Sequence, residues 1–483
     1  MTYTYDRRGR QATCVHSGTT TTRFYHDAGL LLGEAYSGGT LGGWRITNYF
    51  DASLRRTGVS TLSPSSQTLS AITYSYDPAS RLSTVSDGVF SATYTYLANS
   101  PLVSQIDFKS NAVTRMTTTK QYDFLNRLQS ISSAPSAQPL SPISYSYQYN
   151  DANQRLRTTL ADGSYWLYEY DALGQVKSGK RYWSDHTPVA GQQNEYAFDD
   201  IGNRTTTKTG GDANGANLRT STYTSNSRNQ YTARTVPGAF DVLGIANSAA
   251  TVTVNGSAAD HRRGEYFQEE VSVSNGSAAV WQGVSVIAAN GGGGTTNSGS
   301  VFVAKTPENP AYDTDGNLTQ DGHWDYTWDA ENRLTMMKTR SGIAGPVRRL
   351  EFEYDCQGRR IRKRVYDALT GGNLLLENRF LYDGWNLTAV LSSTFQLLSS
   401  YTWGLDLSGS LQGAGGVGGL VAVKTASNGT HFAAFDGNGN VAALVDGGNG
   451  TGSASYEYGP FGETIRATGP LALTNPFRFS TKY

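Results

Sequence analysis

The residue types that could do chemistry are few in this chain and badly placed for it. The six histidines are His16, His26, His186, His261, His323 and His431. None forms a His-x3-His pair and no cysteine accompanies them, so they read as surface or strand-packing residues rather than metal ligands. The two cysteines, Cys14 and Cys356, match no metal spacing and are too few for a disulfide framework in a chain of 483 residues. Asp313-Thr-Asp315-Gly316-Asn317 resembles part of a calcium loop. Counted from Asp313, however, position six is Leu318 and position twelve is Trp324, where Gly and Glu would be needed. Asp199 to Asn203 and Asp436 to Asn440 read as similar turns. Gly413 to Gly419 is Gly-rich without the strand–helix context of a phosphate or dinucleotide loop. Trp166, Trp183, Trp281, Trp324 and Trp385 could stack on sugars, although tryptophans packed within a sheet wall are the commoner case. The sequons at Asn255 and Asn428 coincide with Asn-Gly turns. No catalytic, cofactor-binding or metal-binding residue is assigned, no cofactor is expected, and the chain is expected not to be an enzyme.

What does recur is a phrase. Tyr326-Thr-Trp328-Asp329-Ala-Glu-Asn332-Arg333 returns as Tyr3-Thr-Tyr5-Asp6-Arg-Arg-Gly9-Arg10, as Tyr74-Ser-Tyr76-Asp77-Pro-Ala-Ser80-Arg81 and as Phe352-Glu-Tyr354-Asp355-Cys-Gln-Gly358-Arg359. Side chains two apart in a strand share a face, which pairs the aromatics. The aspartate can accept backbone N–H groups just beyond it and close a turn. Gly or Asn three residues later suits a positive φ. Each phrase therefore predicts a β-hairpin with a loop of about four residues. With Asp355 to Gly358 as that loop, Glu353 is expected opposite Arg360 and Glu351 opposite Arg362. Leu350, Phe352 and Tyr354 then share the other face with Ile361.

The composition agrees with an extensive antiparallel sheet. Hydrophobic residues make up 38% and charged residues 17%, with 54 glycines and 30 tyrosines. A disordered chain would lack the aromatics, and a sheet wetted on one face needs only alternate residues to be apolar. Net charge is zero, which argues against a nucleic-acid binder. No run of eighteen apolar residues exists to span a membrane as a helix. Marker aspartates fall at Asp6, Asp27, Asp51, Asp77, Asp123, Asp151, Asp171 and Asp199, a recurrence that signals a repeat architecture. Four regions follow: repeats over 1–236, an inserted β module over 237–310, repeats over 311–404, and a distinct terminal region over 405–483. In the insert, Thr251–Val254, Glu270–Val273, Val284–Ile287 and Val301–Val303 read as short strands of a small β-sandwich-like unit. Met1 opens onto Tyr3-Thr-Tyr5-Asp6 in mid-phrase, without a signal-peptide pattern, so the chain is expected to be a piece of something longer.

The repeats resemble the YD repeats of the Rhs family. Tyr456 to Glu463 and Asn475 to Tyr483 resemble the start of that family's repeat-associated core, so the likeness covers nearly the whole chain. The resemblance implies an all-β fold: a YD-repeat antiparallel sheet spiralling into a hollow shell that encloses a C-terminal toxin or effector. It also implies an aspartate-dependent self-cleavage site beyond Tyr483, so no autoprotease residue is carried over to this sequence. The implied partners are that effector or a secretion machinery, and the implied location is secreted or cell surface. A second reading, from a different class, is a cell-surface adhesin that binds glycans or a partner protein through the inserted module.

Overall fold

The structure, a computed structural model, describes residues 1–137 and 142–483. The hairpin unit explains the phrase. In the Asp6 copy, Asp6 N–H donates to the Arg10 carbonyl at 2.9 Å, and Gly9 N–H donates back to the Asp6 carbonyl at 3.0 Å. The Asp6 carboxylate accepts the N–H groups of Arg8 and Arg10 on one oxygen and the Arg10 guanidinium on the other, at 2.7 Å. The same Asp–Arg closure recurs at Asp51–Arg55, Asp77–Arg81, Asp123–Arg127, Asp329–Arg333 and Asp355–Arg359. Gly9, Ser80, Asn126, Gly174, Asn332 and Gly358 all take positive φ at the fourth turn position.

The loop is thus five residues, not four. Its fifth residue is held by the aspartate, and the ladder resumes after a bulge between Glu353 and Tyr354. This corrects the expected register by two residues. Tyr354 pairs with Arg360, Glu353 with Arg362 and Glu351 with Arg364. The charges still face one another, with Arg362–Glu353 at 2.6 Å and Arg364–Glu351 at 3.5 Å. Two of the marker aspartates are also displaced. In their repeats the turn is closed by the preceding residue: His26, whose Nδ1 accepts Ala28 N–H, and Asn150, whose Oδ1 accepts Gln154 N–H.

A tyrosine just before the turn ties one hairpin to the previous one in several repeats. Tyr76 Oη donates to the Arg56 carbonyl at 2.8 Å, Tyr96 to Leu82 at 2.6 Å, Tyr149 to Leu128 at 2.7 Å and Tyr354 to Leu334 at 2.8 Å. The same rings lie over the preceding turn's arginine: Tyr76 on Arg55, Tyr96 on Arg81, Tyr149 on Arg127, Tyr354 on Arg333. Arginine in turn reaches forward, as Arg81 does to the Ser100 carbonyl and Arg359 to the Gly384 carbonyl, each at 2.8 Å.

Successive strands pair antiparallel as one ribbon. The first section forms a twenty-stranded sheet from Thr2–Tyr5 to Tyr231–Arg234, and the second a fourteen-stranded sheet from Ala311–Tyr312 to Thr464–Thr468. Between them, Arg234 and Glu308 exchange backbone hydrogen bonds at 2.8 Å, so the chain leaves and returns at one point. The excursion holds a three-stranded and a four-stranded sheet. They pack on Val252, Val254 and Phe267 with Val271, Val284 and Val286, a small two-sheet unit. Its long hairpin, Val280–Asn290 with Gly293–Val303, is much longer than the short strands read from sequence.

The ribbon then comes back to its own start. Arg333 donates to His16 Nε2 at 3.3 Å, across 317 residues of sequence. From there the second section follows the first in the same order: Arg359 on Glu34, Asp383 on Arg56, Leu405 on Tyr94, Gly437 on Tyr147 and Glu457 on Arg181. We call the two sections laps. Their facing sides make one core, with Trp44, Ile46, Val59, Val85 and Phe108 against Leu381, Ala389, Leu391, Phe432 and Val445. The other face of the second lap is buried too. Phe380, Tyr401, Trp403, Leu420, Leu444 and Tyr456 pack with Leu471, Ala472 and Phe477 of the terminal segment. That is why Asn386–Ser392 and Val441–Asp446 lack the alternation of a one-sided strand.

Candidate functional site

Three places gather functional groups. The first lies between the laps. Arg359, 2% exposed, bonds Asp355 at 2.7 Å and Glu34 at 2.9 Å, and donates to Tyr36 Oη at 3.1 Å. Arg23 holds the other oxygen of Glu34 at 2.9 Å. Burial raises the Glu34 carboxyl, but Arg359 and then Arg23 outweigh it and hold it below the usual range. Burial drives the Tyr36 hydroxyl upward. Every charge here has a partner of opposite sign, which describes a lap-to-lap fastener and leaves no free acid or base.

The second is a cavity of about 380 Å³ between the laps. Ile106, Phe108, Ile131, Leu420 and Val421 supply apolar walls, and residues 405–409 and 418–419 lie over it. Asp406 organises that Gly-rich roof by accepting the N–H groups of Ala414 and Gly416 at 2.6 and 3.1 Å. Asp436, on the wall, is likewise engaged by Asn438 and Asn440 N–H and by the Asn440 amide. Burial nonetheless raises its carboxyl above the ordinary value. Lys120 occupies an inward position in strand Val113–Tyr122, in line with the buried Met116 and Thr118. Burial alone lowers its ammonium. The cavity therefore carries one inward cation against carboxylates already used by their own turns.

The third surrounds the insert. Trp183 meets Tyr266 edge-to-face at 5.5 Å, and Arg263 lies over the Trp183 ring at 5.0 Å while bonding Asp185 at 2.7 Å. His323 stacks on Phe302 at 4.0 Å and touches Trp281 and Trp324. Burial lowers its imidazole below the ordinary value, with Asp321 opposing.

The sequence candidates fall into these places as follows. Trp166 is buried in the wall. Trp183, Trp281 and Trp324 sit in the two insert clusters, and Trp385 stands exposed on a turn. Asp313 closes a repeat turn onto Asn317. His431 is buried between Ser453 Oγ and the Asn428 carbonyl, both at 2.8 Å. Among the described residues no three His, Cys, Asp or Glu side chains converge on a point fit for a metal. Sequence reasoning missed Lys120 and the Glu34–Arg359 pair. Lys120 was visible as a cation in the alternation Met116, Thr118, Lys120, Tyr122. The Glu34–Arg359 pair left no sequence signal, because 325 residues separate its members.

The turn unit, with its Asp–Arg closure and its tyrosine tie, runs along both laps and accounts for the repeated phrase. Two curated relatives match part of the chain. The tRNA3(Ser)-specific nuclease WapA of Bacillus spizizenii is 29% identical over 161 residues, 33% of this chain and 6% of that protein. The tRNA nuclease WapA of Bacillus subtilis is 35% identical over 99 residues, 20% of this chain and 4% of that protein. The chain spans only a small part of the length of those relatives. No family model matches. Among solved structures, the complex of TcdB2 and TccC3 without its hypervariable C-terminal region aligns with 99% of this chain. The match covers 25% of that chain, at 14% identity and a TM-score of 0.44.

Proposed function

We propose that this chain is a YD-repeat wall segment of a shell that encloses or presents an effector encoded elsewhere in a longer product, and that the segment itself is not an enzyme. The supporting observation is the return of the ribbon to its own start, with the second lap laid on the first in the same order. Such a coil extends by adding repeats. It also hides strand faces that would otherwise invite aggregation. The mechanism is containment: hydrogen-bonded strands, tyrosine ties and buried ion pairs make the wall stiff. In this reading the protein is exported to act outside the cell that makes it.

The adhesin reading has less support. Arg263 already covers the Trp183 ring, and His323 is sandwiched among Trp281, Phe302 and Trp324, so those rings offer little free face to a sugar.

The test is to sequence the locus beyond the Tyr483 codon, express the complete product and digest it with a protease. Protection of a downstream domain, lost when Arg359 and Arg181 are replaced by alanine, is the expected result. A terminator following the Tyr483 codon in several strains, or a downstream domain cleaved as fast as in isolation, would overturn the proposal.

A further inference from the structure

The chain's two cysteines stand on different laps. Cys14 lies in strand Gln11–His16, opposite Thr21, and is 2% exposed. Cys356 is the second residue of the Asp355–Arg359 turn and is half-buried. That turn is pinned to the first lap at Leu31–Ser37, two strands along from Cys14, and Arg333 ties it to the Cys14 strand itself. Arg359 bonds Glu34 at 2.9 Å and Tyr36 Oη at 3.1 Å, and Arg333 donates to the Asp355 carbonyl and to His16 Nε2, both at 3.3 Å. Tyr3 and Arg23 flank the pair, each close to both the strand and the turn. Between them the Cys14 and Cys356 thiols are close neighbours across the two laps. Both are free thiols.

We propose that Cys14 and Cys356 form a cross-link site whose disulfide fastens the second lap to the first. The bland alternative is that both remain thiols and pack as small apolar groups. Geometry favours the cross-link. The partners meet only when the ribbon has completed a lap, and they meet beside the buried Arg359–Glu34 ion pair between the laps. The chemistry follows thiol–disulfide exchange, with a small-molecule disulfide such as oxidised glutathione as the electron acceptor. The more accessible Cys356 thiolate attacks the glutathione disulfide, forming a Cys356–glutathione mixed disulfide and expelling one glutathione thiolate. Cys14 then loses its proton and attacks the Cys356 sulfur. The Cys14–Cys356 bond forms and the second glutathione leaves with that proton. Two thiols are oxidised and one glutathione disulfide is reduced. Burial and the neighbouring Cys356 thiol push the Cys14 thiol up to about 12. The burial persists in the mixed disulfide, so the second step is slow at neutral pH and quickens as pH rises.

The experiment uses the full chain, reduced and then incubated with oxidised glutathione across pH 7 to 9, roughly the range of free thiol titration. Titratable thiols measured in denaturant should fall from two per chain to none. Peptide mapping should find the Cys14 and Cys356 peptides joined, lighter by two hydrogens. The linked form should migrate as a monomer and melt several degrees above the reduced form. Cys356→Ser, on a half-exposed turn position, should fold and show no such rise. Two thiols that persist, glutathione adducts without the cross-link, or cross-linking only between chains would each overturn the proposal.

Discussion

At the scale of the residue, the same ion pair has different weight in different places. Arg55 and Asp51 close an exposed turn, with side chains 34% and 25% accessible. Arg359 and Asp355 make the same contact at 1% and 2%, with Glu34 drawn in. Removing one partner of a buried network strands the others, so Arg359→Ala should cost about 3–5 kcal/mol, whereas Arg55→Ala should cost about 1 kcal/mol or less. Urea midpoints of the two variants check this, and equal losses would contradict it. Lys120 supplies the reverse case. Its unfavourable burial is relieved by an apolar side chain of similar length, so Lys120→Met should raise stability by about 1 kcal/mol in the same assay. The turn aspartates set the acid limit. At Asp51 the Arg55 backbone N–H, and then its guanidinium, hold the carboxyl below its ordinary 3.8. Asp199, Asp313 and Glu34 are held low as well. A carboxyl depressed in the fold binds its proton less readily there than in the unfolded chain. Its contribution is present above the ordinary range and is lost as pH falls through it. Asp436 and Glu269 are raised and act with the opposite sign, but they are outnumbered. Urea midpoints should therefore drop below about pH 4, and a midpoint that held or rose there would contradict the account.

At the scale of the element, the inserted unit is built to be separable. Arg234 and Glu308 are bridged, so excising the residues between them and joining the ends with a short Gly-Ser link should leave the ribbon's register intact. The insert does lend contacts, among them Tyr266 Oη on the Ala190 carbonyl and Arg219 on Asp241 and Glu270. The excised protein should keep its far-ultraviolet sheet signal and a single melting step, a few degrees lower. Loss of the cooperative step would show that the insert is part of the wall. Strand spacing is less forgiving. A Cβ on Gly33 would lie 2.3 Å from the Ile46 carbonyl oxygen, so Gly33→Ala should force the two strands apart at about 1–3 kcal/mol.

At the scale of the whole molecule, the terminal segment acts as a strap across the second lap. Phe477 meets Tyr401 and Trp403 edge-on at 4.8 and 5.5 Å, and Tyr483 meets Phe380 at 5.2 Å. Arg478 O accepts Val441 N–H, and Thr481 Oγ1 donates to the Gly439 carbonyl. Removing residues 471–483 would uncover Leu420, Leu444 and Tyr456. The shortened protein should bind a hydrophobic dye and associate at micromolar concentration, measured by dye fluorescence and light scattering. A monomer that ignores the dye would show that the strap is dispensable.

The sequence by itself determined the hairpin. Asp6, Gly9 and Arg10 act on one another within four residues, so the turn, the all-β class and the meander are written locally. The strand Thr251–Val254 in the insert was legible for the same reason. Even here two local details escaped it. The arginine is part of the loop, and His26 and Asn150 can replace the aspartate because each offers one acceptor in the same place. Tertiary structure alone decided which residues meet across the laps. Nothing near Glu34 specifies Arg359, and nothing near Cys14 specifies Cys356. Their meeting depends on how many strands the ribbon needs to return to its start, a sum of small twists over the whole lap. That sum also decided which tryptophans are buried and which side of Asn386–Ser392 is core. Both sides are, because one lap lies beneath it and the strap above.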